Sequence, residues 1–325
     1  MPFGITGQGK AGSITPLTCT SIQPAGGSTA GGDVVDIYGS GFELGMTAKI
    51  GGTLCTGLVV QSANQLTCTT PAGTGTDDVR LDRITTAANA TLSNGWTYDF
   101  SPVDLSPALA YYSDTGTTGS PAITAWVNQG STGVTNDLAN SGAPTISASG
   151  GPNGEPRVNS VGTARMQAGA RRDFGTAGTT LWIVCRVTST TKLTTVFKND
   201  RFIVYSADTS GIWSLFNQGV ADNPHDTAVA TGAWQCIEID LDFTVPNTVF
   251  TLGFRVNGVA STPVVGQGYS AGAIVTTVGG SNATLSSDAA ADADVALVVA
   301  TTGVASAGNK TAMRAWLLAN YGVTA

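Results

Sequence analysis

Three carboxylates alternate along one predicted strand, in the segment Glu238-Ile239-Asp240-Leu241-Asp242. Because side chains on a strand alternate between its two faces, these carboxylates share one face. Two such groups could serve glycoside hydrolysis, which in retaining enzymes needs carboxyl groups about 5–5.5 Å apart. At about 3.3 Å per residue, Glu238 and Asp242 start roughly 13 Å apart. A solvated sheet face is therefore the favoured interpretation, and catalysis is the alternative.

A second set of carboxylates could supply oxygen ligands to calcium. Asp288, Asp292 and Asp294 lie close together in the sequence, and Asp114 and Asp137 are further candidates. Calcium takes six to eight oxygens, but this spacing matches no EF-hand loop. Solvated loop carboxylates are therefore favoured over a calcium site, and no other cofactor is expected.

The single histidine, His225, limits other chemistry. One histidine cannot form a multi-histidine metal site, and no G-x-S-x-G segment supplies a serine nucleophile. His225 is interpreted as a surface-loop residue. Together with the wide carboxylate spacing, this favours a protein that is not an enzyme.

Exposed aromatic side chains remain as candidate ligand-binding groups. Tyr111, Tyr112 and Tyr269 could stack on sugar rings. Neighbouring residues on a strand point to opposite faces, so one of Tyr111 and Tyr112 is expected to face outward. Trp126 and Trp213 are spaced as core residues.

The composition excludes several classes of protein. Charged residues make up 11% of the 325 residues, against about 25% in an average soluble protein. The net charge is −7 and the basic residues form no cluster larger than Arg171-Arg172, which argues against nucleic-acid binding. No apolar run approaches the roughly 18 residues of a membrane-spanning helix. Cys185 and Cys236 lie in apolar strand patterns and are expected to be buried thiols.

The N-terminal segment lacks the basic and apolar regions of a secretory signal. This favours release by cell lysis, as for a phage particle, and residues 1–13 are interpreted as a flexible arm. Residues 101–107 contain two prolines and are expected to form a stiff linker.

The remaining chain is dominated by strand patterns. Patterns rich in β-branched and aromatic residues lie at Thr180–Val187, Thr194–Phe197, Phe202–Tyr205, Gly211–Phe216, Trp234–Leu241, Thr248–Val256 and Ala293–Thr301. A single helix is predicted over Gly308–Asn320, ended by Gly322. Its expected apolar stripe consists of Met313, Trp316, Leu317 and Leu318.

The N-terminal third carries an ordered set of short motifs. These are Ile22-Gln-Pro24, Gly39-Ser-Gly41-Phe42, Ala48-Lys-Ile50-Gly51-Gly52, Cys55, Leu66-Thr-Cys68 and Thr70-Pro71. In order and spacing they resemble the IPT/TIG family of immunoglobulin-like sandwiches, and the resemblance places such a domain at residues 14–100. It implies a module that binds or presents something, with Cys55 and Cys68 as a possible disulfide pair.

The rest of the chain, residues 108–325, shows a second resemblance. The matching segments are Ala125–Gly130, Asn136–Leu138, Pro144, Asn153–Val158, Phe254–Gly258, Val278–Gly280 and Arg314–Val323. They resemble the concanavalin A-like, laminin-G-type jelly rolls, which implies a lectin-like sandwich and calcium at a sheet rim. Some glycoside hydrolases of this class use an E-x-D-x-E strand, from which this sequence departs at Asp242.

The predicted fold is all-β, with an immunoglobulin-like sandwich, a jelly-roll sandwich and one short C-terminal helix. The leading functional prediction is a non-enzymatic virion accessory protein, on a phage capsid or tail. It would form a homo-oligomer or be present in several copies at the virion surface, docked to other virion proteins through one module and able to bind cell-surface glycans. The alternatives are a bacterial cell-surface, carbohydrate-binding adhesin and a glycoside hydrolase that uses Glu238, Asp240 and Asp242.

Overall fold

The computed structural model describes residues 15–161, 164–168, 178–188, 194–198, 202–206, 212–217, 220–245, 249–267, 277–279 and 292–325. The expected arm, Tyr269 and Asp288 lie outside the described residues. The chain divides into two compact units between Asp104 and Leu105.

The first unit consists of two small sheets. Its strands are β1 (Thr18–Gln23), β2 (Gly26–Ser28), β3 (Val34–Ser40), β4 (Thr47–Ile50), β5 (Thr53–Leu54), β6 (Thr56–Ser62), β7 (Gln65–Thr69), β8 (Gly75–Asp82) and β9 (Asn89–Asp99). One sheet has the order β1-β3-β7-β6 and the other β2-β9-β8-β4-β5. All pairings are antiparallel except that of β2 with β9.

Alternating apolar side chains from both sheets form one core in this unit. Ile37 and Leu66 come from one sheet, and Val79 and Trp96 come from the other. All four are fully buried. This arrangement is the sandwich that the alternating pattern predicts.

The segment predicted to be a linker, residues 101–107, belongs partly to the first unit. Residues Pro102–Leu105 form a 3-10 turn. The carboxylate of Asp104 accepts hydrogen bonds from the hydroxyls of Ser28 and Thr29 and from the backbone N–H of Ser101. These bonds hold the first half of the segment against the sandwich, so it is not a free spacer.

The second unit contains the remaining strands and the helix. The strands are β10 (Leu109–Tyr112), β11 (Thr117–Thr118), β12 (Ala125–Trp126), β13 (Leu138–Ser141), β14 (Thr145–Ser147), β15 (Arg157–Ser160), β16 (Arg165–Ala168), β17 (Thr179–Val187), β18 (Thr194–Lys198), β19 (Phe202–Ser206), β20 (Ile212–Asn217), β21 (Val220–Ala228), β22 (Gln235–Val245), β23 (Val249–Val256), β24 (Val259–Ala260), β25 (Val264–Gln267), β26 (Thr277–Val278) and β27 (Ala293–Ala300). Helix α1 spans Ala307–Tyr321, and 3-10 turns lie at Gly133–Asn136 and Pro152–Gly154.

Two antiparallel sheets form this second sandwich. One has the order β14-β15-β27-β17-β22-β23-β24, with β10 also paired to β27 and β25 to β23. The other has the order β11-β12-β13-β16-β26-β18-β19-β20-β21. Core side chains such as Ile183 and Val298 of the first sheet and Trp126, Phe197 and Trp213 of the second meet in one cluster. The predicted all-β fold with one short C-terminal helix is confirmed.

Helix α1 explains why the first of these sheets is buried on both faces. On β17, Leu181 and Ile183 enter the core, yet Trp182 and Val184, which point the other way, are also buried. Helix α1 lies over that outer face and hydrogen-bonds to it.

Both ends of helix α1 are capped, the C-terminal one by the predicted Gly322. Ser306 accepts a hydrogen bond from the backbone N–H of Asn309 at the N-terminus. Gly322 follows the last turn with a φ of 64°, a left-handed conformation that glycine adopts at low cost. Among the described residues, no helix has the length and apolar character needed to span a membrane.

Candidate functional site

The acidic strand lies on β22, with its carboxylates directed away from the core. Ile239 and Leu241 belong to the core cluster, whereas Glu238 and Asp240 make contacts on the outer face, beneath helix α1. The predicted two-residue alternation is therefore confirmed. The predicted solvation is wrong for Glu238, whose side chain is only 3% exposed.

Glu238 is surrounded by hydrogen-bond donors on three sides. The indole N–H of Trp182, its cross-strand neighbour on β17, donates to Oε2 at 2.9 Å. The guanidinium of Arg314 on α1 donates from Nε to Oε2 at 2.8 Å and from Nη2 to Oε1. Arg255, the neighbour on β23, places its Nε 3.8 Å from Oε1. The hydrogen bond to Glu238 raises the pKa of the Arg314 guanidinium above its ordinary value.

Asp240 is bound in the same manner one step along the strand. Thr180 of β17 donates its hydroxyl to Oδ1 at 2.6 Å, and the ammonium of Lys310 lies 2.5 Å from Oδ2. The Thr180 hydroxyl in turn accepts the backbone N–H of Ala305, just before the helix. Asp240 therefore helps to anchor both the helix and the segment leading to it.

The match between helix and strand has a simple geometric origin. Lys310 and Arg314 are one helical turn apart, about 6 Å along the helix axis. Glu238 and Asp240 are two residues apart on a strand, about 6.6 Å. The two cations therefore align with the two carboxylates when the helix crosses the sheet along β22.

The third carboxylate does not take part. Asp242 is exposed and lies outside the groove that Glu238 and Asp240 line. Hydrolysis by a pair of carboxylates needs both groups at one sugar ring. This placement provides no such pair for Glu238 and Asp242.

A groove of about 390 Å³ runs between helix α1 and the strands β22, β23 and β24. We call it the charged groove. Its lining residues are Glu238, Asp240, Gly253, Phe254, Arg255, Ala260, Ser261, Pro263, Ala307, Lys310, Thr311 and Arg314. Each of the two acidic side chains in this lining faces a basic one, and Arg255 adds a third basic side chain, so the charged residues of the groove carry a small excess of positive charge.

Two of the residues considered as calcium ligands, Asp294 and Asp292, make other contacts. Asp294 is 1% exposed on β27, where it accepts hydrogen bonds from Arg186 and from the amide of Asn159, with Arg157 3.5 Å away. The interpretation of Asp294 as a solvated loop residue is wrong, because it lies at the centre of a buried ion-pair network. Asp292 uses its backbone carbonyl to accept from Thr188.

The remaining oxygen candidates lie apart from Asp294. Asp137 accepts the backbone N–H of Asn128, and Asp114 is exposed. Within the described ranges, no group of three acidic, cysteine or histidine residues could hold a metal ion.

The two adjacent tyrosines are both buried, contrary to the expectation that one faces outward. Tyr111 enters the core, tilted against Trp126, and donates its hydroxyl to the carbonyl of Asn136 at 2.5 Å. Tyr112 points to the opposite face and is only 8% exposed. Alternation on β10 is correct, but the outer face is covered, so its side chain does not form an open platform.

Tyr112 instead lines a second, smaller cavity of about 80 Å³ beside the C-terminal half of the helix. We call it the Tyr112 pocket. Its lining residues are Tyr112, Asp114, Glu155, Trp316, Asn320 and Tyr321. Trp316 is half-buried and packs against Tyr321 with ring centroids 5.5 Å apart.

The cysteines follow their sequence contexts. Cys185 and Cys236 are fully buried, and burial raises the pKa of each thiol. Cys55 and Cys68 are free and buried, and their interaction lowers the pKa of Cys55 and raises that of Cys68. Their proximity leaves the disulfide as a prediction for oxidising conditions.

Of two further predictions, the one for His225 is wrong and the one for Trp126 and Trp213 is confirmed. His225 lies within β21, so its placement in a loop is wrong. Trp126 and Trp213 are fully buried in the core, as predicted.

Sequence reasoning did not assign the helix residues that complete both sites. Lys310 and Arg314 were available as a signal, because basic residues four apart on a predicted helix share one face. Trp316 and Asn320 have the same four-residue spacing, whereas Glu155 had no comparable signal, since it comes from a distant segment that meets the helix only in the folded unit.

A search of curated proteins finds no match to this chain. Among solved structures, domain 4 of an extracellular arabinanase from Geobacillus stearothermophilus, in complex with arabinotriose, is 12% identical, with a TM-score of 0.45. The alignment covers 63% of this chain and 96% of that one. A structure concerning botulinum neurotoxin type C, whose cell entry depends on two ganglioside molecules, is 7% identical, with a TM-score of 0.43. It covers 64% of this chain and 50% of that one.

A Trypanosoma rangeli sialidase in complex with 2,3-difluorosialic acid is 11% identical, with a TM-score of 0.46, covering 66% of this chain and 33% of that one. At these identities and TM-scores, the likenesses do not bear on what this chain binds.

The sequence model of the IPT/TIG domain family matches residues 17–100. The first unit therefore contains an IPT/TIG domain, as its motifs predict.

Proposed function

We propose that this chain is a non-enzymatic accessory protein of a phage particle, located on the capsid or the tail, whose second sandwich binds glycans. It is present in several copies at the virion surface and docks to other virion proteins through one of its units. The low content of charged residues and the pairing of an IPT/TIG domain with a second sandwich support this proposal.

The observation that carries the non-enzymatic part is the environment of Glu238. A catalytic carboxylate must be free to attack a sugar or to exchange a proton with it. Both oxygens of Glu238 are instead occupied by Arg314, with Trp182 donating to one of them. A substrate would have to displace these donors, and the ion pair would be lost from a site that is almost fully buried.

The charged groove and the Tyr112 pocket support the glycan-binding part. At about 390 Å³, the groove falls within the usual size range of small-molecule sites, about 300–1,000 Å³. Its ion pairs hold several hydrogen-bonding groups in place before a ligand arrives, which lowers the entropic cost of binding. Sugar hydroxyls can accept from N–H groups of these cations that do not face the carboxylates, so a bound sugar need not break the ion pairs.

A panel of polysaccharides and oligosaccharides tests both parts of the proposal in one experiment. We expect binding in about the millimolar range, about −4 kcal/mol, with no release of shorter sugars. Glu238→Gln is the diagnostic variant, and Asp242→Asn, which changes an exposed carboxylate outside the groove, is its control. Turnover that disappears in Glu238→Gln but persists in Asp242→Asn would overturn the proposal in favour of a hydrolase.

The particle location has its own test. We expect quantitative mass spectrometry of purified, nuclease-treated phage particles to detect the chain at a fixed number of copies per particle. Its absence from the particles, together with its presence on intact bacterial cells, would favour the adhesin alternative.

A further inference from the structure

The Tyr112 pocket combines aromatic rings with an unbalanced negative charge. Tyr112, Trp316 and Tyr321 supply the rings, and Asp114 and Glu155 supply two carboxylates. In the part of the chain that the structure describes, no lysine or arginine lines this pocket. The composition differs from that of the charged groove, where each carboxylate lies against a cation.

A buried hydroxyl in this wall lacks a hydrogen bond. Tyr112 is 8% exposed, and its Oη has no hydrogen-bond partner among the described residues. Leaving such a group unsatisfied costs free energy, because it has lost its hydrogen bonds to water without replacing them. A cost of this kind is tolerated where the group completes its hydrogen bonding with a ligand. By contrast, the hydroxyl of the neighbouring Tyr111 already donates a hydrogen bond to the carbonyl of Asn136.

The carboxylates act electrostatically on both phenols. Burial, followed by the negative charge of Asp114, raises the pKa of Tyr112. Burial, followed by the charges of Asp114 and Glu155, raises the pKa of Tyr321. Both phenols therefore stay protonated and neutral at physiological pH, and the two carboxylates alone determine the sign of the potential in the pocket.

This combination selects for a cation that also carries hydroxyl groups. Aromatic faces attract ammonium groups, and the attraction is stronger where the site excludes water. Charge-assisted hydrogen bonds from an ammonium to a carboxylate are roughly twice as strong as neutral ones. The protonated Tyr112 hydroxyl additionally needs an oxygen acceptor, which a simple alkylammonium lacks and a sugar provides.

We propose that the Tyr112 pocket, which at about 80 Å³ admits only the ammonium-bearing edge of a sugar ring, binds an amino sugar with a free ammonium group, as a terminal or internal residue of a glycan. The ammonium binds to Asp114 and Glu155, the ring packs on Trp316, and a ring hydroxyl accepts from Tyr112. This inference rests on the proposed glycan-binding function and specifies its site and ligand class.

The test compares glucosamine oligomers with N-acetylglucosamine oligomers of equal length, by isothermal titration calorimetry on the full chain. N-acetylation removes the charge and leaves the ring and its hydroxyls in place. We expect at least about tenfold tighter binding of the free amine, which corresponds to about 1.4 kcal/mol. Choline serves as an ammonium without a sugar ring and is expected to bind more weakly than the amino sugar.

Variants locate the site. Asp114→Asn combined with Glu155→Gln should abolish the preference for the free amine, and Tyr112→Phe should weaken binding of the amino sugar severalfold. Asp242→Asn, which removes one exposed carboxylate elsewhere on the same unit, should leave both affinities unchanged. Circular dichroism and melting temperature confirm that each variant is folded before its affinity is interpreted.

The outcomes separate this inference from the proposed function. Equal binding of the acetylated and free oligomers, tighter binding of choline, or a preference that survives the Asp114 and Glu155 substitutions would overturn the inference while glycan binding stands. An equal loss in Asp242→Asn would attribute the preference to net charge and would also overturn it. Failure of every oligosaccharide to bind would overturn both.

Discussion

The charged groove and the Tyr112 pocket lie along the same helix, yet they treat buried charge in opposite ways. In the groove, Glu238 and Asp240 are matched by Arg314 and Lys310, so charge stabilises the docking of the helix. In the pocket, Asp114 and Glu155 have no cation in the lining, and the Tyr112 hydroxyl has no partner among the described residues. Paired charges stabilise the folded unit, whereas unpaired carboxylates and an unpaired hydroxyl can still form favourable interactions with a ligand.

The apolar contact of the helix should produce the largest effect on stability. Leu317 is fully buried, whereas its neighbour Leu318 is 56% exposed. We expect Leu317→Ala to destabilise the second unit by about 3 kcal/mol, within the usual range for a buried leucine. Leu318→Ala should change the free energy of unfolding by less than about 0.5 kcal/mol. Chemical denaturation measures both, and equal effects would contradict the docked orientation of the helix.

Removal of the Arg314–Glu238 ion pair should have the next largest effect on stability. Arg314→Met leaves Glu238 buried with a lost partner, which we expect to cost about 2–4 kcal/mol. Adding Glu238→Gln should recover part of this cost, giving a coupling energy of at least about 1 kcal/mol in a double-mutant cycle. Additive effects of the two substitutions would show that the pair does not hold the helix.

Thiol labelling of Cys236 sharpens the same comparison. Cys236 points to the outer face, near Arg314, while Cys185 points into the core. If Arg314→Met loosens the helix alone, Cys236 should label faster than in the wild type while Cys185 stays protected. Mass spectrometry of the labelled peptides distinguishes the two thiols, and parallel acceleration of both would indicate global unfolding instead.

Truncation of Trp316 should have a smaller effect on stability. Full burial of a tryptophan would predict a loss of about 3–5 kcal/mol on truncation to alanine, but Trp316 is only half-buried. We expect Trp316→Ala to cost roughly half of that amount and to weaken amino-sugar binding. Calorimetric unfolding measures the first effect, and a loss as large as that of a fully buried tryptophan would mark Trp316 as part of the helix anchor.

The two adjacent tyrosines provide the smallest and most specific test. Tyr111→Phe removes a satisfied hydrogen bond and should destabilise the unit by about 1 kcal/mol. Tyr112→Phe removes an unsatisfied buried hydroxyl and should be neutral or stabilising by up to about 1 kcal/mol in the absence of ligand. Urea unfolding resolves the opposite signs, and a clear loss in Tyr112→Phe would mean that its hydroxyl has a partner.

Much of the fold was predictable because strands and helices leave local signals. The pattern at Thr180–Val187 corresponds to β17, and that at Ala293–Thr301 corresponds to β27. The predicted helix is found with one extra residue at each end, and Gly322 follows it as the predicted C-cap. These features depend on neighbouring residues, whose spacing the sequence displays directly.

The site was predictable only in part, because alternation shows which residues share a face but not what covers that face. Glu238 and Asp240 were correctly placed together, yet the helix that buries them is far away in the sequence. The same limit applies to Tyr112 and to Asp294, whose surrounding residues come from distant strands, loops and the helix. Burial of polar groups is a tertiary property, and alternation alone does not encode it.

The pairing of β27 has a consequence for how the second unit folds. Leu109 of β10 pairs with Ala300 of β27, and Leu181 of β17 pairs with the same residue from the other side. Contacts between such distant segments slow folding, because the loop between them must lose entropy before the contact gains any free energy. We therefore expect the second unit to fold more slowly than the IPT/TIG unit. During synthesis, the edges of β10 and β17 that pair with β27 should stay unpaired, and therefore prone to aggregation, until β27 inserts between them.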